Sequence, residues 1–350
     1  MKHTLKLLSA VLALALCAGL FAACDGSSDA LMGNSGSTSA SASASAAETH
    51  EPGLFVDGEK VDADPMMTVN GNDVSFDLFR YYYLSSKARF DSGDDSLWTG
   101  EDAEDAKQQL LDYTNEGILS GYAIMALAEE NNIALTDADK KELDDNIATL
   151  TEQLGGEDAY QEALASQHYT DTVYRELYST SMLMEKVLTE LYGADIKADI
   201  AKNYVRAQHI LVKYTDSTAT EHADELAKAQ EILDKLNSGE DFEALMAEFN
   251  EDTGEPDEGY YFTTGEMVQE FEDAAFALKE GEISEIVPTS YGYHILRRLP
   301  MEEDYINQNL TTMLSDDMVT KVTEAFDAKA KEFKVTYNDN YQYVAPDTLF

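Results

Sequence analysis

Two runs, "RAQHILVKY" at 206–214 and "YGYHILRRL" at 291–299, share the tripeptide His-Ile-Leu in a chain of 350 residues that has only six histidines. Both alternate as strands do, so side chains two apart share a face. His209 then sits with Ala207 and Leu211, and His294 with Gly292 and Leu296. Between them the pattern is regular. Thr218 to Glu221 reads as a capping box ahead of a helix with Leu226, Ala229, Leu233 and Leu236 on one face, stopped near Gly239. Phe242, Leu245, Met246 and Phe249 make a second short helix, and "GYYF" at 259–262 a strand. Phe271, Ala274, Ala275 and Leu278 make a third helix ended by Gly281, and "IVP" at 286–288 leads into the second histidine strand. Strand, helix, helix, strand, helix, strand, strand predicts a small α+β unit over 204–300.

The flanks read differently. "MTVNGNDVS" from Met67 has a short β run, an Asn-Gly turn and a return. Phe76, Phe79, Tyr82 and Tyr83 follow at helical spacing, and Leu110, Leu111, Ile118, Ile124, Leu127 and Ala128 predict a helix over about 102–131 with Gly117 and Gly121 as weak points. Thr136-Asp-Ala-Asp139 opens a helix that runs to Gly155-Gly156, and Leu177, Tyr178, Met182, Leu183 and Met184 stripe another. Such stripes read first as core; the functional alternative is an adaptable apolar groove for unfolded chains. Residues 302–334 are helical, "KVTY" at 334–337 is a strand, and the tail beyond reads as ragged. A lone C-terminal helix cannot bury its face, so it is expected to pack back on the N-terminal helices. That makes 204–300 an insertion in a helical domain of 66–203 plus 301–350.

Lys2 and Lys6 precede an apolar run from Leu7 to Phe21, too short to span a bilayer and suited to a secretory signal. The run ends in "LFAAC", which resembles the lipobox of bacterial lipoproteins, with Cys24 as the lipid-bearing residue. The competing reading is a plain secretory signal with an incidental cysteine. The only other cysteine is Cys17, so cleavage before Cys24 leaves an unpaired thiol that acylation would account for. Residues 25–50 are Ser, Ala, Gly and Thr, unable to bury a core, and read as a tether; 51–65 are expected to stay extended and polar. The domains expected are therefore a signal over 1–24 and a tether over 25–65, ahead of the helical and inserted units. The formal charge of −44 excludes the clustered cations that nucleic acid requires.

The run "VRAQHILV … GEDFEALMAEFNED … FTTGEMVQEFEDAAFALKEGEISEIVPTSYGYHILRRL" is similar to parvulin-type peptidyl-prolyl cis-trans isomerase domains over about 204–299. The layout of lipobox, helical part, inserted unit and C-terminal helix resembles extracellular foldase lipoproteins of the PrsA/SurA type. The resemblance implies that the two histidine strands lie side by side in a small antiparallel sheet with flanking helices, beneath a substrate proline. It implies His209, Asp252 and His294 as catalytic, and Phe262, Met267, Phe271 and Tyr291 as the proline pocket and its rim. Taken singly, each histidine reads as a buried core residue and Asp252 as one more solvated acid; it is their shared context that argues for a site. The clients implied are unfolded or newly secreted polypeptides with X-Pro bonds, met at the extracytoplasmic face of a bacterial membrane; a homodimer through the helical part stays open.

The chain departs from the family where a Gly-Gly-x-Leu-Gly stretch is usual. Here "PDEGYYF" lacks the Leu, and Tyr260 is expected in its space. The loop "KYTDSTATEH" lacks the arginines of phosphate-directed parvulins, which argues against phosphoserine-proline specificity. The chemistry needs no cofactor or metal, and neither His-x-x-x-His nor Gly-x-Ser-x-Gly occurs. The main alternative is a tethered holdase whose parvulin unit is slow or inert. A scaffold without clients is the third reading.

Overall fold

The structure is a computed structural model that describes residues 51–216, 218 and 221–350. The signal, the Cys24 attachment point and most of the tether lie outside the described residues. The fold is mixed α+β, and the described residues divide into two compact units: 51–190 with Val319–Phe350, and Leu191–Met318.

In the first unit β1 (Leu54–Val56) and β2 (Glu59–Val61) form a hairpin, as do β3 (Met67–Val69) and β4 (Asn72–Val74). Asp57-Gly58 and Asn70-Gly71 turn them, all four with positive φ, as two-residue type I′ hairpin turns require. The β9 strand (Val335–Tyr337) pairs with the far side of β3. Residues 51–65 are therefore not loosely extended, and the tail is not ragged. Leu54 bridges to Leu349, each 1% exposed, and Gly53 N–H donates to the Phe350 carbonyl at 3.0 Å. Burial of a few apolar groups drives both closures, and three-residue strands carry too little period to announce it.

Ser75 caps α1 (Phe76–Asp91) by accepting from Leu78 N–H. It packs on α2 (Ala103–Glu130), which runs unbroken through Gly117 and Gly121. Gly117 is a close approach rather than a weak point: a Cβ there would stand 2.8 Å from the Tyr82 ring. Thr136 and Asp139 form a reciprocal capping box at the head of α3 (Asp137–Leu154), ahead of α4 (Glu157–Ser166) and α5 (Asp171–Val187).

The second unit follows the order read from the sequence. After α6 (Gly193–Asn203) come β5 (Tyr204–Lys213), α7 (Ala223–Asn237), α8 (Phe242–Phe249), β6 (Tyr260–Thr263), α9 (Gln269–Ala277), β7 (Val287–Pro288) and β8 (Gly292–Leu299). The sheet is antiparallel throughout, in the order β6-β5-β8-β7. The expected capping box at 218–221 is absent: α7 starts at Ala223 without a side-chain cap, and the Thr218 hydroxyl donates to Asp216 instead. The C-terminal helix is also broken, into α10 (Glu303–Gln308) and α11 (Asp316–Ala330). α10 belongs to this unit: Tyr305 stacks on Tyr261 at 3.7 Å, and Lys197 on α6 pairs with Glu303 at 3.1 Å.

Strand alternation sorts the sheet into two faces. Ile210, Val212 and Ile295 pack with α7 and α8 through Ile232, Leu233, Phe242 and Leu245. Val205, Ala207 and Leu296 pack on the other face with Phe262, Phe271 and Ala275. His209 and His294 have the parity of the second set. At the turn into β8, Gly292 lets two backbones meet; a Cβ would stand 2.2 Å from the Val212 carbonyl oxygen.

Candidate active site

The β5–β8 register sets Leu296 opposite His209 and His294 opposite Leu211, so the two histidines sit diagonally on one face. Each is 4% exposed. Their ring centroids are 5.0 Å apart, and Nδ1 faces Nδ1 at 3.2 Å. Such a contact needs one nitrogen to donate and the other to accept.

The ends of the chain of hydrogen bonds decide which. His209 Nε2 lies 3.1 Å from Asp252 Oδ2. Burial alone would raise the Asp252 carboxyl, but the Gly254 N–H, the Tyr260 hydroxyl and His209 together hold it below its ordinary value. An ionised Asp252 can only accept, so His209 carries its proton on Nε2 and accepts at Nδ1. His294 therefore donates from Nδ1 and accepts at Nε2 from the Thr289 hydroxyl, 2.9 Å away. Thr289 Oγ1 in turn accepts the Tyr291 N–H at 3.1 Å. All donors in this chain point one way, from Thr289 to Asp252.

Both imidazoles are held neutral. Burial lowers His209 against the opposing pull of Asp252. Burial and the neighbouring His209 push His294 down to about 3. Phe271 stands edge-on to both rings at 5.2 and 5.3 Å and tilts against Phe262 at 5.7 Å. Met267, half-buried, packs on the same cluster, and Tyr291 is 62% exposed at the rim.

The structure thus gathers His209, His294, Asp252, Phe262, Met267 and Phe271 about one face, with Tyr291 joined through its backbone. Cys24 lies outside the described residues. Sequence reading missed Thr289, Glu255 and the hydroxyl of Tyr260. Glu255 accepts from the His209 N–H at 2.9 Å and from Asn250 Nδ2 at 2.7 Å, and its Oε2 lies 3.5 Å from His209 Nε2. Burial pushes its carboxyl up to about 7 despite those two donors. None of the three has a periodicity signal, because each acts from a loop or across strands. Tyr260 packs on the Phe262–Phe271 cluster.

These shifts fix a pH response. An imidazole whose folded pKa is depressed contributes stability that is present above its ordinary 6.5 and is lost as pH falls through the folded value. For His294 that window runs from 6.5 down to about 3. Glu255, raised from 4.5 to about 7, acts oppositely: its contribution is lost as pH rises through that interval. Urea midpoints between pH 4.5 and 6.5 are expected to rise with pH less steeply in His294→Phe than in the wild type, and more steeply in Glu255→Gln. Unchanged slopes in both variants would contradict the assignment.

Comparison with known proteins agrees with this geometry. Residues 209–299 match the rotamase family model, the PPIC-type peptidyl-prolyl isomerase domain. The Foldase protein PrsA of Caldanaerobacter subterraneus is 30% identical over 305 residues, which cover 79% of this chain and 88% of that one. The Foldase protein PrsA of Oceanobacillus iheyensis is 32% identical over 204 residues, covering 55% of this chain and 62% of the relative. That of a Geobacillus species is 35% identical over 209 residues, covering 56% and 64%. The rotamase match falls on the strands that bear the paired histidines, and the longest of these alignments continues well outside it: the chain belongs to the PrsA foldase family and is a peptidyl-prolyl cis-trans isomerase.

Proposed function

We propose that the protein is a lipid-anchored foldase that works at the extracytoplasmic face of a bacterial membrane, isomerising X-Pro bonds in secreted polypeptides and holding them while they fold. His209, His294 and Asp252 act on the bond, Phe262, Met267 and Phe271 grip the proline ring, and Tyr291 borders the entrance. Residues 204–300 carry the isomerase, and the unit made of residues 66–190 and 319–350 holds clients. Cys24 bears the lipid, and residues 25–50 tether the body.

The observation that carries the catalytic part is the one-way hydrogen-bond chain from Thr289 to Asp252, set against the Phe262–Phe271 wall. Rotation about an X-Pro bond meets a barrier of about 18–20 kcal/mol, because amide resonance is lost at the twisted geometry. Without a catalyst it takes about 10–100 s. No covalent step and no net proton transfer is required. The apolar wall fixes the pyrrolidine ring while the acyl half turns. Locked, neutral imidazole dipoles and the Asp252 charge present a field that needs no reorganisation when the carbonyl leaves the amide plane. Binding the twisted amide better than either planar form is the whole of the catalysis. Asp252 is a poor nucleophile here, since hydrogen bonds from Gly254, Tyr260 and His209 stabilise its charge and occupy three of its roughly four acceptor sites.

Holding and anchoring are tested with the full chain. The His209→Ala/His294→Ala protein is expected to suppress aggregation of an unfolded client as well as the wild type. Cys24→Ala is expected to move the protein from the membrane fraction to the soluble one. A chain that never slows aggregation overturns the holding role, and a Cys24→Ala protein that stays on the membrane overturns the lipid.

A further inference from the structure

The β5 strand outruns its neighbour. β6 pairs with it only from Tyr204 to Ala207, whereas β8 pairs as far as Lys213. On the open side the N–H groups of His209, Leu211 and Lys213 lack a strand partner, and buried N–H groups must find acceptors. Three side chains of residues 250–255 supply them. Glu255 Oε1 accepts from His209 at 2.9 Å, Asn250 Oδ1 from Leu211 at 2.9 Å and Glu251 Oε2 from Lys213 at 2.7 Å. The Glu251 N–H returns a bond to the Leu211 carbonyl at 3.0 Å. The segment thus imitates a strand edge with carboxylates and an amide.

This strap runs into residues 256–262, the stretch that departs from the family pattern. It rejoins β6 through Gly259, at φ +81°, where a Cβ would stand 2.8 Å from the Ala207 carbonyl oxygen. Tyr260 follows at once, and its hydroxyl donates to Asp252 Oδ2 at 3.0 Å, the same oxygen that faces His209 Nε2. Asp252 is thereby pinned between Tyr260 and the catalytic ring, while Glu255 holds the backbone of that ring's own residue.

We propose that Glu255 and Tyr260 are positioning residues of the isomerase: Glu255 seats His209 where strand pairing runs out, and Tyr260 aims the Asp252 carboxylate that sets the His209 tautomer. This rests on the assignment of His209 and Asp252 to catalysis.

The test uses the full chain with a proline-peptide exchange assay and nitrogen-15 spectra of the imidazoles. Tyr260→Phe keeps the ring and its packing and removes only the hydroxyl. It is expected to lower kcat about 10-fold with KM little changed, the loss of one charge-assisted hydrogen bond. The His209 signals should move from a pure Nε2–H form toward a tautomer mixture. Glu255→Gln, which sets an amide N–H against Asn250 Nδ2, should lower kcat in the same direction and shift the His209 backbone resonance. Wild-type kcat and imidazole spectra in both variants would overturn the proposal. Asp252→Asn separates the two levels. If it lowers kcat while Tyr260→Phe does not, only the positioning role fails; if neither does, the assignment of Asp252 to catalysis falls with it.

Discussion

Replacing His209 and His294 together by alanine is expected to lower kcat/KM for X-Pro isomerisation about 100-fold, in the range found when a preorganised donor is removed from an active site. The two rings form a single unit. Their Nδ1–Nδ1 bond gives each the tautomer the other needs, and the ends are fixed by Asp252 and Thr289. His209→Ala leaves His294 facing only the Thr289 hydroxyl, which can donate or accept, and His294→Ala leaves His209 Nδ1 without its donor, so each should cost nearly as much as the pair. The assay follows proline-peptide exchange by magnetisation transfer on the full chain. Thermal melting alongside confirms that the sheet survives, since Ile210 and Ile295 keep the opposite face buried. A double mutant that retains more than a third of wild-type activity would assign catalysis to the apolar wall alone.

Phe262→Ala is expected to destabilise the Leu191–Met318 unit by about 3–5 kcal/mol, the usual cost of emptying a buried aromatic site. Phe262 is 1% exposed, pairs across β5 with Val205, and touches Phe271 and Phe276 at 5.7 and 6.2 Å between centroids. Loss of its ring also frees Phe271, the side chain that stands edge-on to both histidines. Activity should therefore fall even under conditions where the unit remains folded. Phe262→Leu restores most of the volume and should return stability to within about 1.5 kcal/mol while leaving the proline wall imperfect. Urea unfolding gives the first quantity and KM for a proline peptide the second. A Phe262→Ala protein with wild-type KM would remove this residue from the substrate wall.

Much of the site was legible because side chains alternate along a strand. Once "QHIL" and "YHIL" are read as strands, alternation alone puts His209 with Ala207 and His294 with Leu296. The three helices between them show their periods over eight or more residues. Other features were written in signals that went unread. Asp57-Gly58 between "LFV" and "EKV" is a hairpin signature of the same kind as Asn70-Gly71, yet the polar surroundings hid it. The false capping box at 218–221 had the right residue types, but the helix begins later, and Asp216 takes the Thr218 hydroxyl.

By itself the sequence determined the element order of the second unit and the strand parity of each histidine, because these rest on periods that repeat along the chain; the pairing of the two histidine strands and the apolar wall beside them were expected from the family resemblance. Only the tertiary structure decided that β6 pairs with β5 no further than Ala207, that Glu255, Asn250 and Glu251 complete the β5 edge, and that Thr289 and Tyr260 join the hydrogen-bond chain that ends on Asp252. Those contacts join residues with no common period. They arise from the demand of buried polar groups for partners, which is settled in space and leaves no pattern along the chain.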